Sequence, residues 1–203
     1  MALYLDDVDP LGGWLPWRTF TIPGSAPPVA LVRLEVDRGD GSSFSLVRFP
    51  AGWSRPGAGY YGCDEEFVVL DGELEVSGAG YGPGDRGWIP ARGTRTDSRT
   101  STGVTALAWF SGVPDWFDGA GGAEGAARTP LLTVPVPDGG LPLRSARSGG
   151  TWVYEQVPAS FGASARVLWL AAPHGPRWTA LGPGEPVPPG RTGRAFVHLR
   201  YSN

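Results

Sequence analysis

Short runs of alternating apolar and polar residues, separated by turns rich in glycine, recur through the first half of the chain. VALVRLEV (29–36) and FSLVRFP (44–50) flank the turn DRGDGSS, which predicts a hairpin. In EEFVVLDGELEV (65–76), Asp71-Gly72 separates two short segments as a tight turn requires. Further strand segments around GWIP and in GVTALAWF bring the total to about six in roughly 80 residues, which indicates an all-β barrel or sandwich.

The composition changes on either side of this strand-rich segment. Residues 1–28 combine closely spaced tryptophans and prolines, which predicts an extended N-terminal arm and not a helix. Residues 29–113 are the predicted barrel that carries the site. Residues 114–150 are rich in Gly, Ala and Pro, which predicts a linker with one strand at LLTVPV (131–136). Residues 151–203 form the remaining part.

This last part echoes the first half. SARVLWLAAPHGPR (164–177) parallels SFSLVRFPAGWSRP (43–56), and LGPGEPVPPGRTG (181–193) parallels YGPGDRGWIPARG (81–93). The two pairs have different offsets, so the second copy lacks a piece in its middle. We infer an internal duplication whose second repeat is truncated and has lost its site, with chance similarity between Gly/Pro-rich strands as the alternative.

Charge and cysteine content limit the function classes. The net charge is −3, and the 17 basic residues are all Arg without a basic block, so nucleic acid is not an expected partner. The single cysteine, Cys63, cannot form an internal disulfide. The sequence shows neither a secretory signal nor an apolar run long enough to span a membrane. We therefore expect a soluble, cytoplasmic protein that is not bound to a membrane.

Two segments resemble the paired short motifs of the cupin superfamily. In PAGWSRPGAGYYGCDEEFVVLDGELEV (50–76), Glu65 and Gly72 match the first motif. In YGPGDRGWIPARGTRT (81–96), Gly84-Asp85 and Ile89-Pro90 match the second. Within that superfamily, the two segments most resemble the cupins related to the sensor domain of bacterial anti-sigma factors. The resemblance implies a jelly-roll β-barrel around a ligand pocket and, with the duplication, a bicupin whose second repeat is truncated.

The positions where this family carries its metal-binding histidines differ here. Counting from Glu65, the first two correspond to Gly59 and Tyr61, and the third corresponds to Arg95. Arginine cannot ligate a metal and repels a cation. We therefore expect neither a metal at this site nor a cofactor.

A metal-dependent dioxygenase with unusual ligands stays open as a further alternative. It would require one of the chain's two histidines, His174 and His198, to reach the first barrel from the second repeat. A structural role in an apolar strand is the expectation for His198.

The resemblance implies that Tyr61, Glu65 and Arg95 converge at one end of the barrel. Glu65 is then a candidate catalytic base, Tyr61 an acid or hydrogen-bond donor, and Arg95 a group that stabilises an enolate or carboxylate. Cupin-fold sugar epimerases provide a precedent for chemistry without metal. The alternative is an ion pair between Glu65 and Arg95 that fills the vacated metal site and leaves a non-catalytic cavity.

Aromatic residues of the predicted barrel are candidates for substrate binding. Trp53, Trp88 and Trp109 lie on or next to strands and suit a flat, aromatic ligand, although core packing explains them equally well. Cys63 lies in the site loop, with a passive thiol as its alternative role. Glu66 should point away from the site by strand alternation and be solvated or cap a turn.

Two function classes follow. The first is a metal-independent enzyme of the cyclase, isomerase or epimerase type, acting on a hydrophobic or polycyclic small molecule, as in bacterial secondary metabolism and polyketide or other natural-product pathways. The second is a non-catalytic cupin that binds or senses a small molecule. For either class we expect a homodimer formed through edge strands.

Overall fold

The computed structural model describes residues 7–12, 14–124, 126–146, 149–170 and 175–201. Within these ranges the regular elements are strands, and every strand ladder is antiparallel, which confirms the all-β prediction. The chain divides into two compact units. The first contains the described residues from 14 to 130, and the second contains those from 7 to 12 and from 131 to 201. In the described part of the chain there is no helix of the length and apolar character that a membrane span requires.

The first unit is built from two facing sheets. Its larger sheet has seven strands in the order β1-β2-β3-β11-β6-β9-β13, its smaller sheet has the order β4-β10-β7-β8, and β5 pairs with β12. The strands are β1 Arg18–Phe20, β2 Val29–Val36, β3 Ser43–Phe49, β4 Ser54–Arg55, β5 Gly59–Tyr61, β6 Glu65–Gly72, β7 Leu74–Val76, β8 Ala79–Tyr81, β9 Asp85–Ile89, β10 Ser98–Arg99, β11 Val104–Phe110, β12 Trp116–Asp118 and β13 Ala127–Pro130.

The inner faces of these sheets share one apolar core. Val47, Phe67 and Ala108 from the larger sheet belong to the same buried cluster as Trp53 and Leu74 from the other side. Because alternate residues of a strand point to opposite faces, the apolar alternation of the sequence sends one set of side chains into this interior. The result is a β-barrel, one of the two architectures that the pattern of short strands predicts, and it has the jelly-roll form that the resemblance to the two motifs implies.

The barrel takes up more of the chain than residues 29–113. Phe20 pairs with Val29, so part of the predicted N-terminal arm is an edge strand of the larger sheet. Two strands of the predicted linker also belong to this unit, because β12 pairs with β5 and β13 pairs with β9. The strands at a sheet edge have backbone N–H and C=O groups without hydrogen-bond partners. The short strands β1, β12 and β13 pair with such groups, although their sequences have too little periodicity to be recognised as strands.

The strand predicted at 131–136 does not form. These residues adopt turns and irregular structure. Pro135 and the neighbouring Pro130 and Pro137 lack the backbone N–H that a strand ladder requires. The strand of this region lies further along the chain, at Leu141–Ala146.

The second unit is one sheet with the order β14-β15-β18-β16-β17. Val167, Trp169 and Val197 belong to its buried cluster. Val8 is tied to this sheet by two backbone hydrogen bonds with Trp178, of 2.8 and 3.0 Å. The strands are β14 Leu141–Ala146, β15 Gly149–Tyr154, β16 Ser164–Trp169, β17 Arg177–Leu181 and β18 Ala195–Arg200.

A GPG turn with the same hydrogen bonds occurs in each unit. The Gly82 amide donates to the Asp85 carboxylate at 2.9 Å, and the Gly182 amide donates to the Glu185 carboxylate at 2.6 Å. The strands around the turns also match, since β15-β18-β16-β17 repeats the order of β4-β10-β7-β8. The strands β3-β11-β6-β9 of the larger sheet follow the same order, so strand order does not decide which strands of the two units correspond. The duplication and its truncation stay a prediction.

Candidate functional site

A cavity of about 360 Å³ lies inside the first unit, between its sheets. The side chains of the larger sheet that line the cavity change from polar to apolar along the strands. One row of neighbours across β3, β11, β6 and β9 consists of Ser43, Phe110, Glu65 and Ile89, all of which line the cavity. The next row consists of Ser45, Ala108, Phe67 and the exposed Arg33, and the row after it is apolar and includes Leu31, Val47 and Ala106. The cavity therefore has a polar end and an apolar body.

Tyr61, Glu65 and Arg95 meet at this polar end, and all three line the cavity. Arg95 Nη2 donates to Glu65 Oε2 at 2.6 Å, and the Arg95 guanidinium carbon lies 4.6 Å from the centre of the Tyr61 ring. Two backbone hydrogen bonds between Gly59 and Arg95, of 3.0 and 2.8 Å, hold β5 against the segment that carries Arg95. The positions agree with those the family spacing implies, whereas the chemical roles stay a prediction.

Arg55 is a fourth polar residue of this end, and sequence reasoning missed it. Its Nη1 donates to Tyr61 Oη at 3.1 Å, and its guanidinium lies 3.8 Å from the ring centre of Trp116. Arg55 is only 5% exposed. Strand alternation could have found Arg55, because residues two apart in an extended segment share a face. Trp53 and Arg55 are two residues apart, and both line the cavity. Trp116 was missed because it lies in the segment predicted as a linker.

Burial determines the ionisation of Tyr61. Desolvation raises the pKa of this phenol above its usual value of 10, and the negative charge of Glu65 raises it further. Arg55 and Arg95 oppose this shift without cancelling it. Tyr61 is therefore a neutral phenol near pH 7, and because its oxygen accepts from Arg55, its own O–H is available to a molecule in the cavity.

The residues at the family's metal-ligand positions do not fit a divalent cation. A Cβ atom at Gly59 would lie 2.0 Å from Trp116 Cζ2, so the indole occupies the space of a longer side chain. Arg95 places a guanidinium against Glu65, the one carboxylate retained there. Among the residues that the structure describes, no three His, Cys, Asp or Glu side chains are grouped so as to hold a metal ion.

The two histidines lie elsewhere. His198 is buried on β18 of the second unit, with Nε2 3.2 Å from Arg144 Nη2. His174 falls outside the described residues.

Of the three tryptophans predicted to bind a substrate, the structure places one in the wall of the cavity. Trp53 lines the cavity and is 2% exposed. Trp88 and Trp109 are not among the described residues that line it, although their neighbours Ile89 and Phe110 are. Alternation along β9 and β11 places both indoles on the face of the larger sheet that points away from the cavity. There the ring centres of Trp109 and Phe44 lie 6.5 Å apart.

Two further expectations for this region are corrected. Cys63 is absent from the described lining of the cavity, and burial raises the pKa of its thiol to about 11, which agrees with a passive role. Glu66 does point away from the site, but it is not solvated. It is 2% exposed and forms an ion pair with the equally buried Arg86. The second face of β6 is thus also buried.

Comparison with known proteins finds similarity in structure only. No protein-family model and no curated protein matches the sequence. A putative dioxygenase from Nostoc punctiforme superposes with a TM-score of 0.72 at 14% identity, covering 98% of this chain and 87% of that one. A cupin 2 conserved barrel domain protein from Leptotrichia buccalis superposes with a TM-score of 0.56 at 11% identity, covering 85% of this chain and 88% of that one. Protein Ylba from E. coli superposes with a TM-score of 0.56 at 12% identity, covering 100% of this chain and 86% of that one.

At these identities the likeness establishes the fold alone, and that fold is the one implied by the two motifs. The relationship to the anti-sigma-factor subgroup stays a prediction.

Proposed function

We propose that the cupin fold of this chain holds a metal-independent enzyme that moves a proton on an apolar small molecule, as an isomerase, epimerase or cyclase does. The observation that carries the proposal is the convergence of one carboxylate, one neutral phenol and two guanidinium groups at one end of an otherwise apolar cavity. Groups of this kind, in hydrogen-bond reach of one another, suit general acid–base catalysis.

The reaction we propose begins at a carbon next to a carbonyl group. Glu65 removes a proton from that carbon, the electron pair of the C–H bond forms a C=C bond to the carbonyl carbon, and the π pair of the carbonyl group moves to its oxygen to give an enolate. Tyr61 donates a hydrogen bond to this oxygen, and the positive charge of Arg95 stabilises it. Return of the proton to another carbon, or to the other face of the same carbon, completes an isomerisation or epimerisation without a further reactant.

The Glu65–Arg95 contact is compatible with this role. Arg95 donates to Oε2 and leaves Oε1 to accept the proton. The Glu65 side chain is 17% exposed, so it is largely desolvated. A carboxylate with little water around it is a more effective base than one in bulk solvent.

The rest of the cavity favours a hydrophobic or aromatic substrate. Leu31, Phe67, Leu74 and Val76 line its body, and its volume of about 360 Å³ is at the lower end of the usual range for small-molecule pockets. The similar protein from Nostoc punctiforme is described as a putative dioxygenase. We do not extend that chemistry to this chain, because Gly59, Tyr61 and Arg95 do not fit a divalent cation.

Proton exchange at a carbon acid tests the proposal directly. We expect the protein to accelerate the replacement of the C1 protons of 2-tetralone by deuterium in D₂O, followed by proton NMR. Glu65→Gln should lower the exchange rate by about 100-fold or more, and Tyr61→Phe by a similar factor. Glu75→Gln is the matched control, because Glu75 belongs to an exposed ion pair of the same unit. Exchange no faster than in buffer, or an unchanged rate in Glu65→Gln, would refute the catalytic role.

The ion pair itself favours a second candidate, a non-catalytic binding or sensory cupin. In this role Arg95 neutralises Glu65 where the family places a metal, and the cavity only holds its ligand. Quenching of tryptophan fluorescence by 2-tetralone, lost in Trp53→Phe and unaccompanied by proton exchange, would identify this function. The cavity position of Trp53 makes its indole the appropriate reporter.

A further inference from the structure

We propose that the ligand of this cavity carries a carboxylate, which pairs with Arg55 while the apolar part of the ligand fills the cavity body. The inference deepens the proposed function, since it concerns the same cavity and names the chemical class of its ligand. It rests on the charge balance at the polar end and on buried donors that have no partner in the described protein.

Arg55 is a buried cation without a buried counter-charge. It is 5% exposed, and in the described part of the chain it forms no ion pair. Its contacts are the Tyr61 hydroxyl, which is neutral, and the rings of Trp116 and Tyr61. Aromatic faces stabilise a guanidinium only in part, and a desolvated charge generally requires an opposite charge. An anion bound beside Arg55 would supply it.

The other charged groups that line the cavity do not provide a counter-charge for Arg55. Arg95 is neutralised by Glu65 at 2.6 Å. Arg33 and Asp115 are both exposed, so water screens them, and their charges cancel. The buried polar end therefore carries one net positive charge, which matches a monoanion such as a carboxylate better than a phosphate with a charge near −2.

Three buried polar atoms of this end have no hydrogen-bond partner among the described residues, namely Ser43 Oγ, Arg55 Nε and Arg95 Nε. Ser43 is 2% exposed and lies in the same cross-strand row as Glu65. Buried donors of this kind are normally satisfied, and all three residues line the cavity. The planar guanidinium of Arg55 suits the two oxygens of a carboxylate, and the hydroxyl of Ser43 provides a further donor.

The experiment compares two ligands that differ in charge and hardly in shape. We would measure the affinities of 2-naphthoate and 2-naphthamide by calorimetry, using the full chain. The wild-type protein should prefer 2-naphthoate by about tenfold or more, and Arg55→Met should reduce the preference to within about twofold while 2-naphthamide still binds. Arg55→Lys retains the charge and should retain most of the preference. Arg99→Met, which removes an exposed arginine of the same unit, is the control and should leave it unchanged.

Each result decides the inference. Retained 2-naphthamide binding in Arg55→Met shows that the cavity is intact, so loss of the preference there assigns the anion to Arg55. Equal affinities in the wild type, an undiminished preference in Arg55→Met, or no binding of 2-naphthoate would overturn the proposal. The outcome is separable from the proposed catalysis, because 2-tetralone is uncharged. Its proton exchange depends on Glu65 and tests chemistry, whereas the charge preference depends on Arg55 and tests recognition.

Discussion

Removal of Arg95 is the sharpest test of how the polar end is held together. The residue is 2% exposed, and its guanidinium donates to the Glu65 carboxylate, whose side chain is 17% exposed. Arg95→Met preserves much of the side-chain volume but removes the positive charge. Glu65 is then left as a desolvated carboxylate without its cationic partner, and the folded state must bear that cost.

The expected magnitude follows from this burial. Breaking a buried pair by removing one partner costs about 3–5 kcal/mol. Because Glu65 keeps some contact with water, we expect the lower end, about 3 kcal/mol, which corresponds to a fall in Tm of about 6 °C or more for a chain of this length. The double variant Glu65→Gln/Arg95→Met leaves no isolated charge. It should therefore recover much of the loss and reveal a coupling energy of about 1–3 kcal/mol between the two side chains.

Urea unfolding of Arg95→Met, Glu65→Gln and the double variant measures these differences, with the fluorescence of the first unit's tryptophans as the signal. The matched control is Arg99→Met, because Arg99 pairs with Glu75 at 2.8 Å but is 62% exposed. Surface pairs contribute about 0–1 kcal/mol, so this variant should change stability little. A loss in Arg95→Met no larger than in Arg99→Met would refute the reasoning, since the Glu65–Arg95 pair would then behave as a solvated one.

Three further predictions concern neighbouring residues. Gly59→Ala should destabilise the protein by about 1–3 kcal/mol in urea, because its Cβ would lie 2.0 Å from Trp116, whereas Gly57→Ala meets nothing within 4 Å and should be neutral. Equal midpoints for the two would contradict the steric argument. Cys63, with a pKa raised by burial to about 11, should react with Ellman's reagent at pH 8 far more slowly in the native than in the unfolded protein, and equal rates would contradict its burial. The raised pKa of Tyr61 means that the unfolded chain loses this phenolic proton first, so its contribution to stability is complete below pH 10 and is lost as the pH rises above that value. Wild type should therefore lose stability faster than Tyr61→Phe in this range, and parallel curves would contradict the shift.

The candidate site could be predicted where the chain resembles the cupin motifs. Tyr61, Glu65 and Arg95 were found by counting along two short motifs, and the structure brings all three to one end of the cavity. Counting along the motifs does not reach Arg55, which only alternation from Trp53 indicates, and it does not reach Trp116. Their positions depend on pairings between segments far apart in the chain, β4 with β10 and β5 with β12. A two- or three-residue strand has almost no periodicity to reveal such a pairing.

Trp88 and Trp109 lie away from the cavity for a different reason. Alternation divides a strand into two faces but does not say which face lines a cavity when both are buried. This is the case for β6, where Glu65 faces the cavity and Glu66 is buried with Arg86 on the other side. Trp88 and Trp109 lie on that second face, next to Glu66 in the sheet register.

The sequence by itself determined the all-β class and the turns between most strands, because these are properties of local spacing and residue type. Its resemblance to the two cupin motifs implied the replacement of the usual metal ligands. Tertiary structure alone decided which charges share one cavity, which of them are neutralised and which is left without a partner. Those outcomes depend on distance and desolvation across strands that are separated in the chain. For Arg55 they convert an ordinary arginine of the sequence into a buried cation beside Tyr61, and that charge is what the proposed ligand must match.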